Sequence, residues 1–130
     1  MLKIAQVDHV NMSVHNFEES INFYKNVFGM EIKQDGTSLM SGERFVIIGL
    51  KNKIYLCLYE GLSKDLESER IGHLGFYIQD FEQAHKDLKK NNIEILYGGL
   101  VDYPNGRSIY IQDPNGFEWE LSEVLGGGLD

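Results

Sequence analysis

Two stretches of the chain carry the same alternation of apolar and polar positions. In residues 7–14, VDHVNMSV, the side chains of Val10, Met12 and Val14 fall on one side of an extended backbone, and those of His9, Asn11 and Ser13 on the other. In residues 71–78, IGHLGFYI, it is Leu74, Phe76 and Ile78 that take the apolar side, opposite His73, Gly75 and Tyr77. Each stretch predicts a half-buried strand, with a histidine in the same phase. The period then lengthens. Asn16 with Glu19, and Asp80 with Gln83, have the spacing of a capping box. Phe17, Ile21, Tyr24 and Phe28 share one helical face, as do Phe81, Ala84 and Leu88, so each helix can lie on the apolar side of its own strand. Gly29 is placed to close the first helix and Asn91-Asn92 the second.

Further strands follow in both copies. Residues 30–32 and 93–95 start one; residues 44–50 and 53–59 fill the first copy, residues 108–112 and 117–123 the second. Lys51-Asn52 and Asp113-Pro114-Asn115-Gly116 supply the turns between them. The expected fold is α+β: two tandem βαβββ modules whose curved mixed sheets enclose a cleft, with helices on the outer face. Module 1 covers about residues 1–60, a polar linker 61–71, module 2 residues 72–124 and a glycine-bearing flexible tail 125–130, all within one domain.

Composition narrows the function classes. At 130 residues, 42% hydrophobic and 25% charged, the chain can bury a core without metal or disulfide. A formal net charge of −8 works against nucleic acid, whose phosphates are bound by clustered Lys and Arg. Cys57 is the sole cysteine, which excludes an internal disulfide, and no leader pattern opens the sequence; a reduced, cytoplasmic compartment is expected. Apolar runs such as residues 45–50 are too short to span a bilayer, so no membrane role is expected.

Duplication brings the two histidines to the helix-free side of both sheets, and so toward one shared cleft. In residues 117–123, Trp119 and Leu121 alternate with Glu118, Glu120 and Ser122, which turns Glu120 to that side and Trp119 into the core. Aligning the copies sets Tyr55 against Glu120, giving four pseudo-equivalent positions: His9, Tyr55, His73 and Glu120. Two imidazoles and a carboxylate suit a divalent transition ion and leave positions open for substrate. Tyrosine, whose phenol ionises near ~10, is a poor fourth ligand at neutral pH, so a three-residue site is expected. One histidine at a strand start is ordinarily a structural hydrogen-bonding group; the matched phase is what favours ligation. His15 and His85 have no counterpart in the repeat and are assigned to the surface.

The stretch DHVNMSVHNFEESINFYKNVFGM, the GHLGF strand and the terminal DPNGFEWEL resemble the vicinal oxygen chelate superfamily of glyoxalase I, bleomycin and fosfomycin resistance proteins, methylmalonyl-CoA epimerases and extradiol dioxygenases. The resemblance spans nearly the whole chain. It implies His9, His73 and Glu120 as ligands of a divalent ion (Mn, Fe, Ni or Zn), a small-molecule substrate chelated through oxygen, and a homodimer whose site combines modules of two chains. Glyoxalase I has a glutamate, and the epimerases a glutamine, where the alignment puts Tyr55; a three-ligand site is closer to the fosfomycin resistance enzymes and the dioxygenases. SGERFVIIGLKNKIYLCLYEG and GRSIYIQDPNG resemble the hydrolase-type fosfomycin resistance proteins, which implies Glu43 as the base activating water and Tyr110 as a phosphonate contact. By residue type alone, a glutamate beside Arg44 at a strand start is ordinarily a solvated charge. The likeness departs after Glu120, where those enzymes continue into a basic helix and this chain reads LSEVLGGGLD; Arg107 is the substitute cation. Tyr55, Tyr59, Tyr77 and Tyr103 are expected to line the pocket. The function expected is metal-dependent lyase, isomerase or epoxide-opening chemistry with oxyanion stabilisation. The alternatives are an Fe(II) extradiol-type dioxygenase and a non-catalytic drug-sequestering protein.

Overall fold

The structure is a computed structural model that describes residues 1, 3, 5–39, 41–61 and 71–125. The linker apart from its two ends, and the triple glycine of the tail, lie outside the described residues. The chain divides into two compact units, Met1–Leu66 and Glu67–Asp130.

The first unit runs β1 (Val10–Val14), α1 (Phe17–Phe28), β2 (Glu31–Thr37), β3 (Arg44–Leu50) and β4 (Ile54–Glu60). Its sheet has the order β1-β4-β3-β2, parallel at β1/β4 and antiparallel elsewhere. Alternation fixes its faces: Val14, Val46, Ile48, Leu56 and Leu58 are all fully buried, and α1 packs against β3 and β4 with Phe17, Ser20 and Tyr24 buried. The Asn16 side chain accepts the Glu19 N–H at 2.9 Å, and Gly29 ends the helix at φ 68°, a left-handed conformation that glycine adopts without Cβ strain. The β3/β4 hairpin turns at Lys51-Asn52 as expected, with Asn52 at φ 61°. Gly49 is required beside that turn, since a Cβ would stand 2.3 Å from the Ile54 carbonyl oxygen.

The second unit repeats the plan with β5 (His73–Tyr77), α2 (Phe81–Lys90), β6 (Val101–Tyr103), β7 (Gly106–Gln112) and β8 (Glu118–Ser122), in the sheet order β5-β8-β7-β6. Ile109, Ile111, Trp119 and Leu121 are buried on the inner face, where Trp119 stacks on Phe76 with ring centroids 4.8 Å apart; the assignment of Trp119 to the core holds. Asp113 organises the β7/β8 turn by accepting the N–H groups of Asn115 and Phe117, each at 2.8 Å.

One expected strand does not form. Residues 93–95 alternate as a strand would, yet they lie in a loop, and the third strand of the unit is the three-residue β6 further on. Asn92, Tyr97, Gly98 and Gly99 all have positive φ, at 56°, 57°, 78° and 123°, values that no strand accommodates. A backbone bond from the Leu96 N–H to the Tyr110 carbonyl, 2.8 Å, ties this loop to β7. His85 also departs from expectation: it is half-buried, lining a groove with Lys89, Ile93 and Leu100 under that loop.

Candidate functional site

In the second unit β8 lies between β5 and β7, and its register decides what meets. His73 is opposite Glu118, Gly75 opposite Glu120, and Tyr110 opposite Glu120 from the other side. Glu118, Glu120 and Ser122 are half-buried on the face opposite Trp119 and Leu121. Across the glycine position, His73 Nε2 comes to 3.5 Å from Glu120 Oε2. Even an added Cβ at Gly75 would be 3.7 Å from that oxygen, so the diagonal approach is open.

The other Glu120 oxygen is already engaged. The Tyr110 hydroxyl donates to Oε1 at 2.6 Å, and the Tyr103 hydroxyl lies 2.5 Å from that of Tyr110, giving a chain Tyr103 to Tyr110 to Glu120. Tyr110 is buried, its ring edge-on to His73 and to Tyr97. Burial, then the hydrogen bonds to Glu120 and Tyr103, push its phenol well above the ordinary range, so it stays a proton donor. Tyr97 holds the next carboxylate: its hydroxyl is 2.8 and 2.7 Å from the two oxygens of Glu118. The left-handed backbone of this non-glycine residue costs on the order of 1–3 kcal/mol, a cost that observed contacts must offset.

A pocket of about 310 Å³ opens beside Glu120, lined among others by Tyr103, Asn105, Arg107, Ser108 and Ser122. Arg107 is not a free cation there. It binds Glu123 at 2.7 Å and Glu82 at 2.5 Å and lies over the Phe81 ring, so its charge is spent joining α2 to the end of β8. The expectation that it would stand in for a basic tail is corrected on this ground. Tyr77 extends along β5 on the His73 side and is exposed.

The first unit holds the remaining candidates. His9 immediately precedes β1, exposed, with Nδ1 2.6 Å from Asp8 Oδ2, a contact that engages one ring nitrogen and not the other. Glu43 is exposed on the loop joining β2 and β3, beside Ser41. Tyr59 packs on Phe45 with ring centroids 6.1 Å apart. Tyr55 is half-buried on β4, but it is not the counterpart of Glu120. Val10 pairs with Leu56 while Leu74 pairs with Trp119, so the position matching Glu120 is Cys57, and Tyr55 matches Glu118. Cys57 is buried, and burial pushes its thiol up against the opposing effect of a Tyr59 hydrogen bond.

Residues 6–121 match the model of the Glyoxalase/Bleomycin resistance protein/Dioxygenase superfamily. The chain belongs to this superfamily. Among glyoxalase-superfamily relatives, the metallothiol transferase FosB of Staphylococcus saprophyticus is 34% identical over 91% of this chain and 76% of its own length. The fosfomycin resistance protein FosX of Listeria monocytogenes has the same fold, with a TM-score of 0.75 at 21% identity over 96% of this chain and 98% of the other. A further FosX structure, complexed with Mn(II) and sulfate, superposes with a TM-score of 0.71 at 23% identity, covering 98% and 100%. The paired β-α-β-β-β units are those of the superfamily fold.

The spacing of the two side chains is one that a tetrahedral zinc ion can bridge. Two donors each about 2.0–2.1 Å from one tetrahedral ion stand roughly 3.4 Å apart, close to the 3.5 Å between His73 and Glu120. Among the described residues no three His, Cys, Asp or Glu side chains form a cluster that could hold a metal ion; His73 and Glu120 stand as a pair. No helix of the described residues is long and apolar enough to cross a membrane.

Sequence reasoning reached His73, Glu120, Tyr103 and Tyr110, which the structure brings together. It missed Tyr97 and its grip on Glu118. The Tyr97-Gly98-Gly99 run was the available signal, since paired glycines mark a backbone free to turn left-handed.

Proposed function

We propose that the protein is a divalent-metal-dependent enzyme that adds a nucleophile, a thiol or water, to a small oxygen-rich electrophile such as an epoxide. The observation that carries this reading is the facing pair His73 and Glu120, oriented by Tyr110 and opening on a pocket lined by hydroxyl groups. Similarity to metallothiol transferases supports the thiol version. On the family pattern His73 and Glu120, with His9 as the third donor, would hold the ion, which would supply Lewis-acid polarisation of a substrate oxygen.

The chain's own groups do the rest. Tyr110 fixes the Glu120 carboxylate by a bond to one oxygen and leaves the other facing His73. Tyr103, half-exposed at the pocket, donates to the Tyr110 hydroxyl and so keeps it aimed at Glu120, and its own oxygen is left as an acceptor for a substrate hydroxyl. Ser108 and Ser122 present short hydroxyls on the same wall. Glu43 is the residue proposed to activate water in the hydrolytic version. A homodimer is the assembly proposed on the family pattern.

The test is an anaerobic titration of chelator-stripped protein with Mn(II), Fe(II), Ni(II) and Zn(II), in the wild type and in His73→Ala. Thiol addition to, and hydration of, an epoxide panel would be followed alongside. About one ion per chain, lost in the variant, together with metal-dependent ring opening is the expected result. A wild type that binds none of the four ions would overturn the reading.

A further inference from the structure

By register the nearest carboxylate to His73 is Glu118, its direct partner across β5 and β8, and not Glu120 two residues on. Yet the imidazole meets Glu120, at 3.5 Å. Glu118 is drawn instead to the Tyr97 hydroxyl, which lies within 2.8 Å of both its oxygens. Both glutamates project from the same face of β8, since Trp119 between them is fully buried on the other. By register two carboxylates therefore lie beside one imidazole; Tyr97 engages both oxygens of Glu118, whereas Glu120 keeps one oxygen toward His73.

Tyr97 is well placed to make that selection. It sits at φ 57°, continued by Gly98 and Gly99 at positive φ, in the loop that replaces an expected strand. An ordinary extended residue there would carry its side chain along a strand; the left-handed turn lets the ring pack edge-on against Tyr110 at 5.2 Å while its hydroxyl reaches Glu118. One side chain thus touches the residue that orients Glu120 and restrains the carboxylate that competes with it.

We propose that Tyr97 is a positioning residue that holds Glu118 out of the donor set, so that the half-site presents one imidazole and one carboxylate rather than two carboxylates. The consequence is chemical. A second carboxylate would occupy a position otherwise left for water or substrate, and would add a negative charge that weakens Lewis acidity. This rests on the metal reading above, and the experiment separates the two.

Tyr97→Phe keeps the ring and removes the hydroxyl. Mn(II) affinity would be measured by electron paramagnetic resonance, and the ion's bound water by proton relaxation, in wild type, Tyr97→Phe, Glu118→Gln and the double variant. The expected pattern is Mn(II) binding tighter by more than about twofold, with lowered relaxivity, in Tyr97→Phe, as an added carboxylate replaces a bound water. Glu118→Gln alone stays near the wild type, and the double variant returns to it. Tyr97→Phe within twofold of wild type with unchanged relaxivity would overturn the proposal, as would a double variant that behaves like Tyr97→Phe, since Glu118 would then not be the agent. A wild type that binds no Mn(II) would remove the metal reading itself, and this proposal with it.

Discussion

The hydroxyl of Tyr110 shows how much one atom can decide. It stands 2.6 Å from Glu120 Oε1 on a buried ring, and the upward push on its phenol means that it donates throughout the physiological range. Tyr110→Phe removes the bond to the Glu120 carboxylate and the one shared with Tyr103 while keeping the packing, and is expected to lower stability by about 1–3 kcal/mol. If Glu120 is a metal ligand as proposed, losing the partner that orients it should also weaken Mn(II) binding about tenfold. Urea denaturation and metal titration check the two halves separately; an unchanged metal affinity would show that Glu120 needs no such orientation. The phase of Glu120 was legible from alternation with Trp119 and Leu121, because a strand has no other way to bury a tryptophan. The role of Arg107 was not. Its partner Glu82 is 25 residues away on a helix, and no local pattern reports that meeting.

At the scale of elements, that meeting becomes a clamp. Arg107 on β7 binds Glu82 in the first turn of α2 and Glu123 just beyond β8, so one guanidinium ties a helix to two strands. The Arg107 hydrogen bond, with its charge, holds Glu123 below the ordinary carboxylate range. With the folded value depressed, the unfolded chain binds more protons between the two values, so this contribution is present above the ordinary range and is lost as pH falls through the folded value. Arg107→Met should therefore be less stable than wild type near neutrality, with the gap narrowing below about pH 4. Urea midpoints across pH check this, and a gap independent of pH would show that packing on Phe81 matters and the charge does not. Register was the part of the sheets that the sequence concealed. A slip of one residue would have turned Glu120 into the core and betrayed itself; the slip of two that exchanges Tyr55 for Cys57 keeps every side chain on its face, so alternation is blind to it. Residues 93–95 misled for the converse reason: their alternation is real and buries Ile93 and Ile95 in part, but left-handed backbone at Tyr97 and the glycines prevents it from becoming a ladder.

For the molecule as a whole, the repeat was legible because each half carries a full set of local signals, cap, helix face and alternating strands, that agree with one another. The reaction was not, because the fold hosts many chemistries and the site alone distinguishes them. Metal binding offers a measurement at this scale. An ion bound by the native chain and not by the unfolded one stabilises by about 2.7 kcal/mol at a hundredfold excess over its dissociation constant. In a protein of this size that corresponds to a rise in melting temperature on the order of 10 °C. The stripped wild type is expected to show this rise on adding Mn(II), and His73→Ala to show none. His9→Ala is the informative variant, because His9 lies in the first unit, exposed and held by Asp8, where truncation removes little packing. If His9 is the third donor, its loss should abolish most of the metal-induced rise while leaving the melting temperature of the stripped protein within about 2 °C of wild type. A His9→Ala protein that gains the full rise would restrict the donors to His73, Glu120 and their neighbours, and would leave the matched histidine of the first repeat as a residue of the fold.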